Sequence, residues 1–355
     1  MYHVILSGGS GTRFWPMSTQ NKPKQLINII KEKTMIRLTI NRLKKITTTK
    51  YILIVVSNSL CKSIQKEIPE IPKDNYIIEP SPKNTAPAIA LAAINVMYRD
   101  INSVMVIHPS DHMISGDIQF KNSILKGIDL AKKESVLITL GVKPTYPSTA
   151  YGYIKYDSSD IPNFTEILKV NNFVEKPNKI NAKKYFSSKQ YFWNCGIFIW
   201  KASEILASMK KFMANDYNHI INIYNSLSKQ KYKSILDKKW HQIKKESIDY
   251  GILQKAKNVY AIEAHFKWND LGSWKSFFDF VEKNENGSYY SGDVLALESS
   301  NNLVISPNRL TAILGIDNFT IINLDKMTLV MPTSESESVK ELVKMIKSLN
   351  KKEYL

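Results

Sequence analysis

The sequence predicts an α/β protein with a mostly parallel sheet, followed by a small β-rich tail. Three observations carry this reading. Over the first 140 residues, short β-branched runs alternate with amphipathic stretches, the pattern of βαβ units with right-handed crossovers. From about 141 the alternation loosens into longer, aromatic-rich strands. Beyond about 286, short β segments are separated by Asn, Asp, Gly and Pro until a terminal amphipathic stretch. At 355 residues the chain exceeds the size at which a single core stops growing, so two domains are expected, 1–285 and 286–355.

YHVIL (2–6), YILIVV (51–56), YII (76–78), SVMVI (103–107) and SVLITL (135–140) are apolar runs of strand length and read as buried strands. Between them, residues 34–45, 59–68, 85–99 and 117–133 repeat apolar side chains at helical spacing. EPSPKNTAPAIA (79–90) joins a strand to an alanine-rich helix, with Asn84 or Thr85 as its N-cap. YGYIKY, ILKVNNFVEKP and YFWNCGIFIW read as strands of a more antiparallel or mixed arrangement. Helices follow at about 202–228 and 247–257, and another starts near Ser273, a suitable N-cap. NENGSYYSGD (284–293) has linker composition. Short β segments follow at 293–298, 302–306, 311–314, 319–323 and 327–331, then a helix over about 337–349.

Hydrophobic residues make up 43% and charged residues 23%, ordinary for a soluble globular enzyme. No run of eighteen apolar residues exists, so no membrane partner is expected, and VIL is too short for a secretory signal. Cys61 and Cys195 alone make neither a disulfide framework nor a zinc site, and a reducing cytoplasm is the expected compartment. The net charge of +17 raises the question of nucleic acid. The lysines, however, are spread as pairs along predicted helices rather than gathered in one stripe, so no nucleic-acid partner is expected. An anionic small substrate suits the charge equally well.

In parallel sheets ligands bind beyond the carboxyl ends of strands, which directs attention to 7–25, 79–87 and 108–116. SGGSGTRFWPMSTQNKPKQL (7–26) is glycine-rich, yet Phe14 stands where the dinucleotide fingerprint needs glycine, and the P-loop spacing fails at Arg13 and Phe14. Closely spaced glycines let backbone N–H groups converge on an anion. Arg13 adds a forked cation, and Lys22 and Lys24 add point charges, so this loop is expected to hold phosphate. In IHPSDH (107–112), Pro109 and the strand context argue against a helical His108/His112 metal pair. Asp111 at the strand's carboxyl lip is placed for Mg²⁺, an ion usually held by one or two carboxylates plus substrate phosphates. Glu79 and Asn84 lie where a base could sit, and a carboxylate accepts two hydrogen bonds from guanine's N1–H and N2 amine. FVEKP (173–177), FWNCGIF (192–198), SIDYGI (247–252) and WNDLGSW (268–274) each place a charge or amide among aromatics and glycine, where it must pair or meet a ligand.

SGGSGTRFWP with PKQL, PSPKNTAPA, HPSDH, YGYI, FVEKP, WNCGIF, SIDY and WNDLGSW stand in the order and approximate spacing of the mannose-1-phosphate guanylyltransferases. Over essentially its whole length the chain resembles that branch of the sugar-phosphate nucleotidyltransferases. The opening signature and EKP mark the wider class, while NTAPA, PSDH and WNDLGSW are more specific to the mannose/GTP branch. The match is to a short form, without the fused phosphomannose isomerase domain of the longer bacterial form, so isomerase activity is not expected. Phe14 replaces the usual leucine, Cys195 the commoner serine, and Asn269 a frequent serine; none removes a charge that the chemistry needs.

The resemblance implies a Rossmann-like nucleotidyltransferase fold with a mostly parallel mixed sheet, plus a small C-terminal β-rich, β-helix-like domain. It implies that Gly8, Gly9, Gly11 and Arg13 cradle the triphosphate, with Leu6 and Thr12 also contacting the nucleotide and Lys24 close to the reacting phosphates. Glu79, Asn84, Thr85 and Asp111 complete the nucleotide contacts, and Asp111 and Asp270 hold Mg²⁺. Gly152, Glu175, Lys176, Asn194 and, less directly, Asp249 match sugar-phosphate contacts. The implied reaction joins GTP and mannose 1-phosphate into GDP-mannose and pyrophosphate. The alternatives are another NTP or hexose 1-phosphate on the same fold, or a non-catalytic regulatory or nucleic-acid-binding relative. The tail resembles a domain that often contributes dimer contacts, so a homodimer is also among the expectations.

Overall fold

The computed structural model describes residues 1–8, 12–19, 22–30, 33–157 and 166–355. Its strands, in chain order, are β1 (Tyr2–Ser7), β2 (Asn28–Ile30), β3 (Lys33–Thr34), β4 (Ile52–Ser57), β5 (Tyr76–Glu79), β6 (Val104–Pro109), β7 (Met113–Ser115), β8 (Leu137–Val142) and β9 (Tyr153–Asp157). They continue as β10 (Ile167–Val174), β11 (Tyr191–Lys201), β12 (Val259–Glu263), β13 (Lys267–Asn269), β14 (Tyr289–Leu297), β15 (Leu303–Leu314), β16 (Phe319–Asn323) and β17 (Thr328–Pro332).

One compact unit comprises Met1–Gly8, Thr39–Ser110 and Ile114–Trp268. It holds a nine-stranded sheet in the order β5-β4-β1-β6-β11-β8-β12-β10-β9. The β5, β4, β1 and β6 strands are mutually parallel, as the βαβ pattern requires. β11 enters antiparallel between β6 and β8, β12 runs parallel to β8, and β10 and β9 add antiparallel pairs. The sheet is therefore mixed, in agreement with the fold class read from the sequence. Helix Thr85–Arg99 buries ten of its side chains, mostly alanine and isoleucine, in a core with Val4, Leu53, Met105, Ile107 and Trp200. Small side chains let the helix approach the sheet closely, and this holds the loop after β5 in place.

The second unit comprises Gly9–Leu38, Asp111–Met113 and Asn269–Leu355, a division that crosses the chain several times rather than once near 285. Its core joins Phe14, Trp15, Ile27 and Met35 to Trp274, Phe277, Leu303, Ile305, Ile322, Leu329 and Val339. In its four-stranded sheet β14, β15 and β16 are parallel and β17 is antiparallel.

Several elements differ from the sequence reading. The stretch of linker composition enters β14 at Tyr289, and 302–306 and 311–314 are one strand, β15. Gly292 permits this join: its φ is +93°, and a Cβ there would lie 1.9 Å from the Ser306 carbonyl oxygen. The helix expected over 202–228 breaks at Met213 into Ala202–Phe212 and Ala214–Tyr224. The one expected over 247–257 is a five-residue wide turn, Asp249–Leu253. Helices Lys179–Ser188 and Tyr232–Gln242 have no counterpart in the sequence reading, because lysines and polar residues dilute their apolar periodicity. Among the described residues no helix is long and apolar enough to cross a membrane.

Candidate active site

In the second unit, Lys24 follows Pro23 in a single short turn, Lys24–Leu26, and is buried. Its ammonium lies 2.7 Å from the Asp111 carboxylate and donates to the Asp270 carbonyl oxygen at 2.6 Å. Burial pushes the Asp111 carboxyl up, but the Lys24 ammonium and hydrogen bonding outweigh it and hold the group below the usual carboxylate range. Asp111 is thus an anion held ready by a cation.

The loop carrying Asp270 is tied by its own side chains. The Asn269 carboxamide accepts from Leu271 N–H at 2.6 Å and donates to the Ser276 carbonyl, and Asp270 Oδ1 accepts from Gly272 N–H at 2.9 Å. Ser273 and Ser276 form a capping box on helix Trp274–Phe280, so the N-cap expected at Ser273 is present. A Cβ on Gly272 would sit 3.1 Å from Asp270 Oδ2 and 3.3 Å from an Arg13 guanidinium nitrogen, so the glycine lets both approach the loop backbone. Phe14, next to Arg13, packs its ring 4.7 Å from that of Trp274, whose indole donates to the Trp15 carbonyl. Arg13, Lys24, Asp111 and Asp270 are therefore gathered by one apolar core. Gly9 and Gly11 lie outside the described residues, and of Thr12 only the backbone is described.

In the first unit, Leu6, next to last in β1, pairs with Pro109 on the strand carrying His108, and its carbonyl accepts from Ser110 N–H; among the described residues nothing comes within 4 Å of where a Cβ on Gly8 would lie. Glu79, the last residue of β5, is buried, and burial pushes its carboxyl up to about 7. Asn84 caps the following helix by accepting from Thr85 N–H at 2.8 Å, and the Thr85 hydroxyl accepts from Ile248 N–H. Backbone bonds Ala86 N–H to Glu246 and Glu246 N–H to Lys83 join this loop to the SIDY segment.

A second group in the same unit surrounds Asn194 on β11. Its backbone N–H donates to the Gly152 carbonyl at 2.8 Å, and its Nδ2 donates to Asp249 Oδ1 at 3.1 Å. A Cβ on Gly152 would lie 2.6 Å from Glu175 Oε2, so the glycine lets that carboxylate sit against the backbone, and any larger residue would displace it. Lys176 pairs with Glu175 and is itself mostly exposed. Burial, reinforced by the Glu175 charge, pushes Asp249 up to about 7. Gly152, Glu175, Lys176, Asn194 and Asp249 thus come together from well-separated sequence motifs. Thr139 on β8, which no motif singled out, completes the group with a hydrogen bond to Asn194 Oδ1 at 3.0 Å. The signal was a lone hydroxyl in the otherwise aliphatic run VLITL. Cys195, beside it, is buried, and burial pushes its thiol up to about 12, which leaves it inert.

His108 lies in β6 and stacks on His3, with Nδ1 of His3 3.0 Å from Nε2 of His108. Among the described residues no three His, Cys, Asp or Glu side chains form a ready metal cage. Mg²⁺ needs none, being usually held by one or two carboxylates plus substrate phosphates; Asp111 and Asp270 carry carboxylates of that kind, and Lys24 links the Asp111 carboxylate to the Asp270 backbone carbonyl.

Residues 2–287 match the family model described as nucleotidyl transferase, and 292–346 match the MannoseP isomerase/GMP-like beta-helix domain. A protein of Escherichia coli O157:H7 named mannose-1-phosphate guanylyltransferase 2 is 31% identical, over 99% of this chain and 74% of its own. A Thermus thermophilus crystal structure titled mannose-1-phosphate geranyltransferase shares the fold, with a TM-score of 0.88 at 24% identity, over 98% of this chain and 99% of that one. A Helicobacter pylori structure titled mannose-6-phosphate isomerase matches with a TM-score of 0.61 at 27% identity, over 76% of this chain and 98% of that one.

Proposed function

The chain belongs to the nucleotidyl transferase family, and on that premise we propose that it transfers GMP from GTP to α-D-mannose 1-phosphate, giving GDP-mannose and pyrophosphate. The observation that carries the reading is the buried Lys24, clamped between the Asp111 carboxylate and the Asp270 carbonyl in the loop system that also bears Arg13. A phosphate oxygen of the sugar phosphate attacks the α-phosphorus in line. The bond from that phosphorus to the bridging oxygen breaks, and pyrophosphate departs with the electron pair. The nucleophile is already an anion, so no strong general base is required.

The obstacle is repulsion between two polyanions, and the chain's cations answer it. Arg13 offers a forked donor to phosphate oxygens, Lys24 a fixed point charge, and Lys176 an exposed one on the sugar-phosphate side. Bound at Asp111 and Asp270, Mg²⁺ would supply further charge neutralisation at the phosphates. Glu79, with its carboxyl about half ionised near neutrality, accepts from guanine N1–H and the N2 amine, a pair that adenine lacks. Asn194, Glu175 and Asp249 offer both donors and acceptors, as sugar hydroxyls require. A homodimer belongs to the same reading, supported by Leu295, Leu297, Leu310, Leu314 and Val330 exposed on the β14–β17 sheet.

The test is pyrophosphate release measured across the four NTPs and several hexose 1-phosphates, with and without Mg²⁺. GTP with mannose 1-phosphate should dominate. Preference for another pair would move the assignment within the family. Turnover of none, with tight salt-sensitive RNA binding instead, would replace it. Mannose 6-phosphate belongs in the panel because a structural neighbour carries an isomerase title.

A further inference from the structure

We propose that Thr139 is a positioning residue for the sugar phosphate: its hydroxyl fixes the Asn194 carboxamide so that the NH₂ group, not the carbonyl, faces the ligand. This rests on the reading of the Asn194 group as the sugar-phosphate site and adds a residue to it. Thr139 is fully buried on β8, where β11 lies opposite at Phe198. Between Asn194 and Phe198 the pairing of β11 shifts, and Gly196 takes a φ of +70°. The bulge turns the backbone N–H of Gly196 back onto Asn194 Oδ1 at 3.1 Å. The Thr139 hydroxyl reaches the same oxygen at 3.0 Å, while its other neighbour, the Leu140 carbonyl, lies at 3.5 Å, too far to compete.

A carboxamide presents an acceptor at one end and two donors at the other, and its two orientations differ by a half turn. Two donors converging on one end favour that orientation: the flipped amide would set an N–H against the Gly196 N–H and would make the Thr139 hydroxyl turn to accept, with only the distant Leu140 carbonyl left for its own hydrogen. With Oδ1 so occupied, Nδ2 gives one hydrogen to Asp249 Oδ1 and keeps the second for a ligand. Beside it, Asp249 and Glu175 present carboxylate oxygens, with Gly152 leaving room for Glu175. The result is a donor flanked by acceptors, the complement of neighbouring sugar hydroxyls that both give and accept. Thr139 touches no substrate in this scheme; it sets the polarity of the group that does.

The experiment is steady-state kinetics of Thr139→Val, Thr139→Ala and Thr139→Ser with both substrates varied. Valine keeps the shape and loses the hydroxyl; alanine also loses it, without any risk of overpacking. Both should raise KM for the sugar phosphate about tenfold, the order of one hydrogen bond, with KM for GTP held within about twofold. Serine, which restores the hydroxyl, should return most of the loss. An unchanged sugar-phosphate KM in Thr139→Ala overturns the proposal. So does an equal rise in both KM values with no rescue by serine, which would make the hydroxyl a general structural contact. If the wild type rejects mannose 1-phosphate but uses another hexose 1-phosphate, the substrate assignment fails, and the Thr139 effect is read on the accepted sugar instead.

Discussion

Replacing Lys24 with methionine separates what this lysine does for the fold from the role at phosphate proposed for it. The side chain is nearly as long, so the apolar stem still packs, but the ammonium 2.7 Å from Asp111 and 2.6 Å from the Asp270 carbonyl is gone. Breaking a fully buried ion pair costs about 3–5 kcal/mol, because the remaining charge is stranded. Here Lys24 is 10% exposed but Asp111 is 31% exposed, so water recovers part of that charge. A loss of about 2 kcal/mol is the consistent figure. Urea unfolding measures it. In Lys24→Met with Asp111→Asn no charge is stranded, and the double variant should regain about 1 kcal/mol or more over the sum of the single losses. Turnover should behave oppositely. Losing one preorganised electrostatic donor costs about 3 kcal/mol in the transition state, roughly a hundredfold, and the double variant should be no faster than Lys24→Met. Wild-type turnover by Lys24→Met at saturating GTP would refute the reasoning, as would recovery of activity in the double variant.

The remaining predictions use the perturbed groups. Burial pushes the Glu79 carboxyl up to about 7, and in the role proposed for it the ionised form accepts from guanine, so kcat/KM for GTP should fall tenfold per pH unit below about 7. Glu79→Gln should abolish that limb and stabilise the free protein above pH 7, where the buried carboxylate is charged and unfavourable; an unchanged limb assigns it elsewhere. Asp249, also raised to about 7, should impose the same acid limb on kcat/KM for the sugar phosphate but not for GTP. In Asp249→Asn the sugar-phosphate limb should disappear while the GTP limb stays, and loss of both limbs in this variant would contradict the separation of roles. Burial lowers His3 from 6.5 to about 4, so the folded protein holds this imidazole neutral. Stability is then complete above about pH 6.5 and lost as pH falls towards 4, by about 3 kcal/mol for this group. His3→Gln should reduce the fall of the urea midpoint between pH 7 and 4.5, with the stacked His108, which burial also holds well below its ordinary value, supplying a remaining slope; a slope equal to that of the wild type would show that the His3 imidazole is not a source.

What the sequence makes legible is what local periodicity encodes. Helices 85–99 and 117–133 occupy the residues expected of them, because a strong apolar repeat and clear ends coincide there. Strands β1, β4, β5, β6 and β8 shift by a residue or two at most, each being a continuous apolar run. The start of β14 is hidden in the sequence because Tyr289–Gly292 sit in a run of Asn, Gly and Ser whose composition speaks for a loop, while parallel pairing with β15 holds them extended. Local pattern has no access to that partner. The same limit applies to the candidate site. Motifs point to Lys24, Asp111 and Asp270 separately, but a lysine bonded to a carbonyl 246 positions away is a product of tertiary structure. Thr139 is silent for the converse reason: a threonine inside an aliphatic strand is ordinary until its hydroxyl is seen to land on Asn194.

The opening loop shows how apolar packing decides where charge goes. Arg13 has little to hold it from its own neighbours, since the residue is exposed and lies in a single turn, Thr12–Phe14. Its neighbour Phe14 is fully buried against Trp274, and the Trp274 indole donates to the Trp15 carbonyl at 3.0 Å. Trp274 is also the first residue of the helix capped by Ser273, and it follows closely on Asp270 and the buried Leu271. One aromatic contact therefore fixes both the turn that carries the guanidinium and the loop that carries the carboxylate. Phe14, which broke the dinucleotide pattern, fills the place from which the cation is aimed. A glycine there would leave the Trp274 ring without its partner, and the turn that carries Arg13 would lose its apolar anchor to the Asp270 loop. The departure from the dinucleotide fingerprint and the gathering of Arg13 beside the Asp270 loop are thus consequences of the same buried ring.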